Sequence, residues 1–309
     1  MYSGKFKSSN GVNDVYYYVY GENITNPYAV VQLSHGMIDH IGRYNEFIKF
    51  LNKNNIVVCG CDDLGHGETG KNSTYGFFAD KNGKDYVLED LYKMTKIIKH
   101  NYKGLPFYMI GHSMGSFFAR AYAYDFPNEL NGLILLGTSG SVSGIGFGML
   151  LIDILMLIKG KRSYIRALEK FTDKSYCKKI DNVTKSRDWV TTDDTKLDEY
   201  YKDEKCSFTF SLSAYHDLLS ILNFVSSKKW YKNLDVNVPI LLASGTDDPV
   251  GQYGKGVLEV YKKLKKHGQK NVDLKLYANA KHELHNEVPD IRQEFFDDVL
   301  KWIKENNKN

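Results

Sequence analysis

Cysteine is scarce in this chain, and no apolar run is long enough to cross a bilayer. Only four of the 309 residues are cysteines: Cys59, Cys61, Cys177 and Cys206. Cys59-Gly60-Cys61 has the wrong spacing for a Cys-x-x-Cys redox or zinc pair. It lies in the apolar run Val57-Val58-Cys59-Gly60-Cys61, which reads as a buried strand carrying free thiols, as a reducing compartment allows. The opening Met1-Tyr2-Ser3-Gly4-Lys5 has no apolar signal core. The most apolar stretch, 145–158, falls short of the roughly 20 residues a spanning helix needs, and Asp153 interrupts it. There is no basic stripe either. The 41 Lys and Arg stand against 37 Asp and Glu, the net charge is +4 and the lysines are scattered, so nucleic acid is not an expected partner. Lysines at 262–263 and 265–266 fall on an expected amphipathic helix and read as its solvated face. What remains is a soluble, cytoplasmic globular protein, for which contact with a lipid surface stays open. Its 42% hydrophobic residues suffice for a large core.

No internal repeat or low-complexity tract is present. The segment 15–20, Val-Tyr-Tyr-Tyr-Val-Tyr, is rich in β-formers. Short apolar runs at 29–33, 56–60, 107–110 and 133–136 then alternate with helix-length amphipathic segments at 44–54, 85–100 and 114–125. This alternation predicts a parallel sheet covered by helices on both faces. The rhythm breaks after Thr138. A Gly/Ser stretch leads into an apolar helix around Met149-Leu150-Leu151, then a polar irregular segment, then a helix over 213–225. Strand–helix alternation resumes after Trp230, with strands at 238–244 and 272–277 and helices at 254–267 and 287–305. The expected organisation is an α/β core, 1–138 and 226–309, interrupted by a helical insertion over 139–225.

The chemistry concentrates at Gly111-His112-Ser113-Met114-Gly115. This G-x-S-x-G follows the β run Phe107-Tyr-Met-Ile110 and opens a helix, the strand–turn–helix context in which the serine hydroxyl is lifted from the sheet as a nucleophile. The Met114 N–H at the helix start would face a developing oxyanion. A serine needs a base and an orienting acid, and in this arrangement both follow later strands in the order Ser, Asp, His. The stretch 240–248 ends in Asp247-Asp248, and 274–282 ends in His282. His282 is preferred as base over His285, expected at the surface, because it lies nearer the strand end. Asp247 and Asp248 remain alternatives on this reading. A second donor would come from Met37, where Gly36 lets the loop after 30–33 turn. His35 is expected to be structural, and His112 to pack behind the elbow. No Asp/His spacing over 62–67 matches a zinc motif, and no metal or cofactor is required.

These motifs together make the chain resemble an α/β-hydrolase of the monoacylglycerol lipase, lysophospholipase and serine-aminopeptidase-like (S33) group. The resemblance rests on His35-Gly36-Met37 with Asp39-His40 and Arg43-Tyr44, Asp63-Leu-Gly-His-Gly67, Gly111-His-Ser-Met-Gly115, Gly245-Thr-Asp-Asp-Pro-Val250 and His282-Glu283. It implies a mostly parallel eight-stranded sheet. It also implies Asp248 as the acid, His282 as the base, Met37 and Met114 as oxyanion donors, and a cap made by the insertion. Where relatives carry Arg in the Asp-x-Arg-Gly-His-Gly loop, this chain has Leu64. The expected reaction is hydrolysis of a carboxylic ester with a medium or long acyl chain, a monoacylglycerol or lysophospholipid, through an acyl-enzyme on Ser113. Gly36 and His112 beside the serine, with Met149, Leu150 and Met156 on the apolar helix, are the expected substrate contacts, and that helix could meet a membrane surface or micelle. The rival readings are an S33-type aminopeptidase or amidase, using the acidic pairs 193–194, 198–199 and 203–204, and a non-catalytic hydrolase-fold binding protein.

Overall fold

The structure, a computed structural model, describes residues 1–307. Its eight strands are β1 (Tyr2–Lys7), β2 (Asp14–Tyr20), β3 (Ala29–Ser34), β4 (Ile56–Cys61), β5 (Phe107–His112), β6 (Gly132–Leu136), β7 (Ile240–Gly245) and β8 (Val272–Tyr277). They form one sheet in the order β1-β2-β4-β3-β5-β6-β7-β8. Only β1 and β2 run antiparallel to their neighbours; from β4 to β8 every pairing is parallel. β3 through β7 are buried at every position, which is why they read as unbroken apolar runs. β1 has no such run. Its Tyr2, Gly4 and Phe6 are half-buried while Ser3, Lys5 and Lys7 are exposed, and this short, Gly- and Lys-containing alternation was not among the expected strands.

The helices are α1 (Asn45–Lys53), α2 (Gly67–Lys71), α3 (Gly83–Asn101), α4 (Met114–Asp125), α5 (Ile145–Lys159), α6 (Arg166–Tyr176), α7 (Asp194–Lys202), α8 (Leu212–Val225), α9 (Lys228–Asn233), α10 (Lys255–Lys266) and α11 (Pro289–Asn306). Alternate strand residues feed two cores, since successive side chains leave opposite faces. Val30, Val57, Met109, Leu133 and Leu242 pack with α3, α4 and α10. Val31, Val58, Ile110, Ile134 and Leu241 pack with α1 and α11 through Phe47, Phe295 and Val299. Each such side chain contributes about 1.5–3 kcal/mol on burial. Five helices, α5 to α9, lie between β6 and β7, the first four of them within 139–225. Two of them, α6 and α7, occupy the segment expected to be irregular. The signal for α6 was Leu168, Phe171, Thr172 and Tyr176, one face at helical spacing; Asp193 caps α7, accepting from Thr195 N and Lys196 N. All four cysteines are free and buried. Among the described residues no helix is long and apolar enough to cross a membrane.

Candidate active site

The loops at the carboxyl ends of β3, β5, β7 and β8 converge, as expected where ligands meet an open parallel sheet. Ser113 stands between β5 and α4 with φ 53° and ψ −120°, a left-handed conformation that non-glycine residues adopt at a cost of about 1–3 kcal/mol. The turn is held from both sides. Ser113 N donates to Leu136 O at 2.9 Å, and Ser116 Oγ donates to Ser113 O at 2.6 Å. Gly115 must lack a side chain, because a Cβ there would lie 2.1 Å from Ser34 O and 2.5 Å from His35 O. The elbow therefore sits directly against the end of β3.

His282 Nδ1 is 2.9 Å from Asp248 Oδ1, with both side chains almost fully buried. The same Asp248 oxygen accepts from Val250 N at 2.9 Å, and the other oxygen accepts from Ser244 Oγ at 3.0 Å. Burial pushes the Asp248 carboxyl up, but the His282 pairing and the Ser244 and backbone bonds outweigh it, so the group lies below the usual carboxylate range. Asp247 is exposed and reaches only Thr246 Oγ1, at 3.3 Å. His282 Nε2 is buried without a partner, in a cavity that Ser113 also lines. His285 is not at the surface, as the sequence had suggested. It is 1% exposed and stacks on Tyr44, with ring centroids 4.2 Å apart. Burial and the neighbouring His112 push its pKa down to about 3, so it is a neutral packing residue.

Behind the serine, Asp39 shapes the Gly36-Met37 loop. It accepts from Gly36 N (3.1 Å), His40 N (2.8 Å) and Tyr44 OH (2.7 Å). Arg43 ties it to Glu283 beside His282, with contacts of 3.0 Å to Asp39 and 2.7 and 2.6 Å to Glu283. Burial raises the Asp39 carboxyl, but Arg43 and the surrounding imidazoles hold it well below its ordinary value. His112 lies against this network: its Nδ1 is 3.0 Å from Tyr44 OH and its ring 4.7 Å from that of His282. Met114 N occupies the first turn of α4, where N–H groups have no intrahelical partner. His35 is structural, its Nε2 accepting from Asp63 N at 3.0 Å. Leu64 O receives His66 Nδ1 at 3.0 Å, so the Leu64 loop is internally bonded.

A cavity of about 780 Å³ opens above Ser113 and is lined by Gly36, Met37, His112, Met114 and residues of α5, α6 and α8. On α5 the lining residues are Ile145, Gly148, Leu151 and Ile152. Met149, Leu150 and Met156, the expected contacts, are not among them. Leu150 is largely exposed, and Met156 packs on the core. An apolar helix offers no polar stripe by which sequence could tell its faces apart, and packing against α8 turns a different face inward. The acidic pairs over 193–204 do not line the cavity, whereas Glu169 and Asp173 do, both paired with Arg187. Trp189, in the stretch read as irregular, lines it too, with its ring 5.2 Å from that of His282. His40, Asp203 and Cys206 place ligand-type atoms within 4.8 Å of one another. However, His40 Nδ1 accepts from Gly42 N (3.2 Å) and Nε2 donates to Asp203 (2.7 Å), so the neutral ring has no lone pair left for a metal.

Residues 25–289 match the family model Hydrolase_4, serine aminopeptidase S33. The chain is 26% identical to the monoglyceride lipase homolog of Monkeypox virus over 298 residues, covering 94% of this chain and 95% of that protein. It is 25% identical to human monoglyceride lipase over 90% of this chain and 83% of that one. Among solved structures, a highly thermostable carboxyl esterase from Bacillus coagulans, in complex with glycerol, superposes with a TM-score of 0.93 at 30% identity, covering 99% of each chain.

Proposed function

The chain belongs to the serine aminopeptidase S33 (Hydrolase_4) family, and on that premise we propose that it hydrolyses carboxylic esters of the monoacylglycerol type through Ser113, His282 and Asp248. The observation that carries this reading is the buried Asp248–His282 pair, whose free Nε2 lies in the cavity lined by the strained Ser113. In this reading His282 Nε2 takes the Ser113 proton as Oγ attacks the ester carbonyl. Asp248 holds Nδ1–H, fixing the tautomer and stabilising the imidazolium. The Met37 and Met114 amides receive the oxyanion. His282 then protonates the leaving alcohol and, with the acyl group on Ser113, activates the water that releases the fatty acid. Apart from the ester and the water, each of these steps uses groups of this chain.

The helical segment 139–225 serves as a cap, and the α5 and α8 wall, with Leu151, Ile152, Leu219 and Leu222, holds the acyl chain. On α5 the cap exposes Phe147, Ile158 and Leu157, the last 87% exposed. A cluster of this kind supports transient docking on a membrane surface or micelle. The four free thiols support a cytoplasmic location. The aminopeptidase reading is weakened because the acidic pairs it needs lie outside the cavity and Arg187 compensates Glu169 and Asp173.

The test is turnover of a medium-chain monoacylglycerol and of p-nitrophenyl esters of increasing acyl length, with prolyl p-nitroanilide alongside and Ser113→Ala as control. Preference for acyl chains longer than acetate, no anilide cleavage and an inert S113A are expected. A steep preference for acetate would remove the acyl-chain assignment, faster anilide cleavage the ester assignment, and an active S113A the nucleophile.

A further inference from the structure

Residues 188–192 lie within the helical region between β6 and β7, yet they are bonded to the loop that carries His282. Lys281 Nζ donates to the carbonyls of Asp188 and Thr191, the latter at 3.1 Å. Glu283 N donates to Val190 O at 2.8 Å, and Thr191 Oγ1 donates to Asn286 O at 2.8 Å. Thr192 reaches Glu287 through its amide at 3.1 Å and also through its hydroxyl. These bonds bracket His282 on both sides. Bonds of this kind are worth about 0.5–1.5 kcal/mol each, so together they make the five-residue stretch part of the histidine loop.

Trp189, the second residue of the stretch, faces His282. The two ring centroids are 5.2 Å apart and the planes meet at 47°. Tyr176 packs edge-on against the indole at 4.8 Å. The indole N–H donates to Asp173 Oδ1 at 3.1 Å, and the buried Asp173 is itself held by Arg187 at 3.5 Å. Elsewhere around the imidazole, His112 packs at 4.7 Å and Gly137 approaches so closely that a Cβ there would lie 2.8 Å from Cε1. The bond to Asp248 holds the ring at Nδ1, and the packed neighbours limit the remaining movement about χ1 and χ2 and so where Nε2 points.

We propose that Trp189 is a positioning residue for His282. Oriented by Asp173 through its indole N–H, it confines the imidazole so that Nε2 is presented to Ser113. The proposal rests on the reading of His282 as the base. Under it the region between β6 and β7 has two parts. One is α5, which carries exposed apolar residues, and the other is 188–192 with Trp189, which is bonded to the loop of the base.

A misplacement of about 1 Å costs on the order of a hundredfold in rate. Trp189→Ala should therefore lower kcat by about 10- to 100-fold on p-nitrophenyl acetate and p-nitrophenyl butyrate alike, with KM changed by no more than about threefold. Trp189→Phe, which keeps an aromatic wall but loses the N–H that Asp173 holds, should recover only part of the loss, to about the level of Asp173→Ala. Asp173→Ala should fall in the same direction as W189A, and Asp173→Asn, which still offers an oxygen to the indole, should recover. In proton NMR, the low-field resonance of the His282 Nδ1–H should broaden in W189A and return in part in W189F. Loss confined to KM, or loss that grows with acyl length, would make Trp189 a substrate contact and overturn the proposal, as would an unchanged low-field proton. If W189A does not fold, the Asp173 pair decides, since Trp189 then stays in place; equal activity of D173A and D173N would overturn the proposal. His282→Ala separates this idea from its premise. An active H282A removes the base assignment, whereas an inert H282A beside a W189A of unaltered kcat removes only the positioning role.

Discussion

Replacing Asp248 by Asn removes a charge while the local hydrogen bonds dictate how the new amide must sit. Val250 N–H and His282 Nδ1–H both point at one Asp248 oxygen, at 2.9 Å each. The other oxygen faces Ser244 Oγ at 3.0 Å, a hydroxyl able to accept as well as donate. The Asn oxygen therefore stays toward His282 and the NH₂ turns to Ser244. The histidine keeps the tautomer that leaves Nε2 free, so the loss is of charge alone. Two unit charges about 4 Å apart, at the effective dielectric of about 20 that serves even for buried sites, interact by roughly 4 kcal/mol, close to a thousandfold in rate. Single-turnover release of p-nitrophenol from p-nitrophenyl butyrate should show kcat of Asp248→Asn down by about that factor, with KM little altered. Asp248→Ala, which removes the hydrogen bond as well, should lose more. Asp247→Asn should stay within about twofold of the parent, since Asp247 is exposed. If D248N retained more than about a tenth of the parent kcat, or if D247N lost as much as D248N, the assignment of the acid and the electrostatic argument would both be wrong.

Three further outcomes are expected. Gly115→Ala drives a methyl into the Ser34 and His35 carbonyls, which cannot rotate away; it should cost about 1–3 kcal/mol in a urea melt and on the order of a hundredfold in kcat through displacement of the elbow. Buried Asp217 has its pKa raised to about 7, chiefly by burial. The folded state then binds a proton that the unfolded state has already released, so its contribution is present below the ordinary carboxyl pKa and lost as pH rises toward 7, at up to about 1.4 kcal/mol per pH unit. Asp217→Asn should flatten the urea midpoint between pH 5 and pH 8, and an unchanged slope would refute this. Leu157→Ser with Ile158→Ser should leave a soluble ester unaffected but weaken turnover on emulsified substrate on the order of a hundredfold, because each side chain gains about 1.5 kcal/mol or more on entering lipid. Equal effects on both substrates would argue against docking.

Much of the fold was legible because its signals are local. β3 to β7 are buried on both faces and so appear as continuous apolar runs, and Gly111 to Gly115 between a strand and a helix announces an elbow wherever the rest of the chain goes. The chain order of Ser113, the aspartates and His282 likewise needs no coordinates. β1 and α6 were harder to read, because each buries only one side and its short polar alternation resembles a loop.

The sequence by itself determined seven of the eight strands, where the elbow falls, and that an acid and a histidine wait at the ends of two later strands. Only the tertiary structure decided that Asp248 rather than Asp247 meets His282, that His285 is buried against Tyr44, that α5 turns Gly148 and Leu151 to the cavity in place of Met149 and Leu150, and that Trp189 lies against the imidazole. Neighbouring residues such as Asp247 and Asp248 carry the same local signal, and an apolar helix looks alike from every side. The choice between them is made by contacts between residues far apart in the chain, such as the 34 positions that separate Asp248 from His282, and those contacts exist only once the sheet has brought its strand ends together.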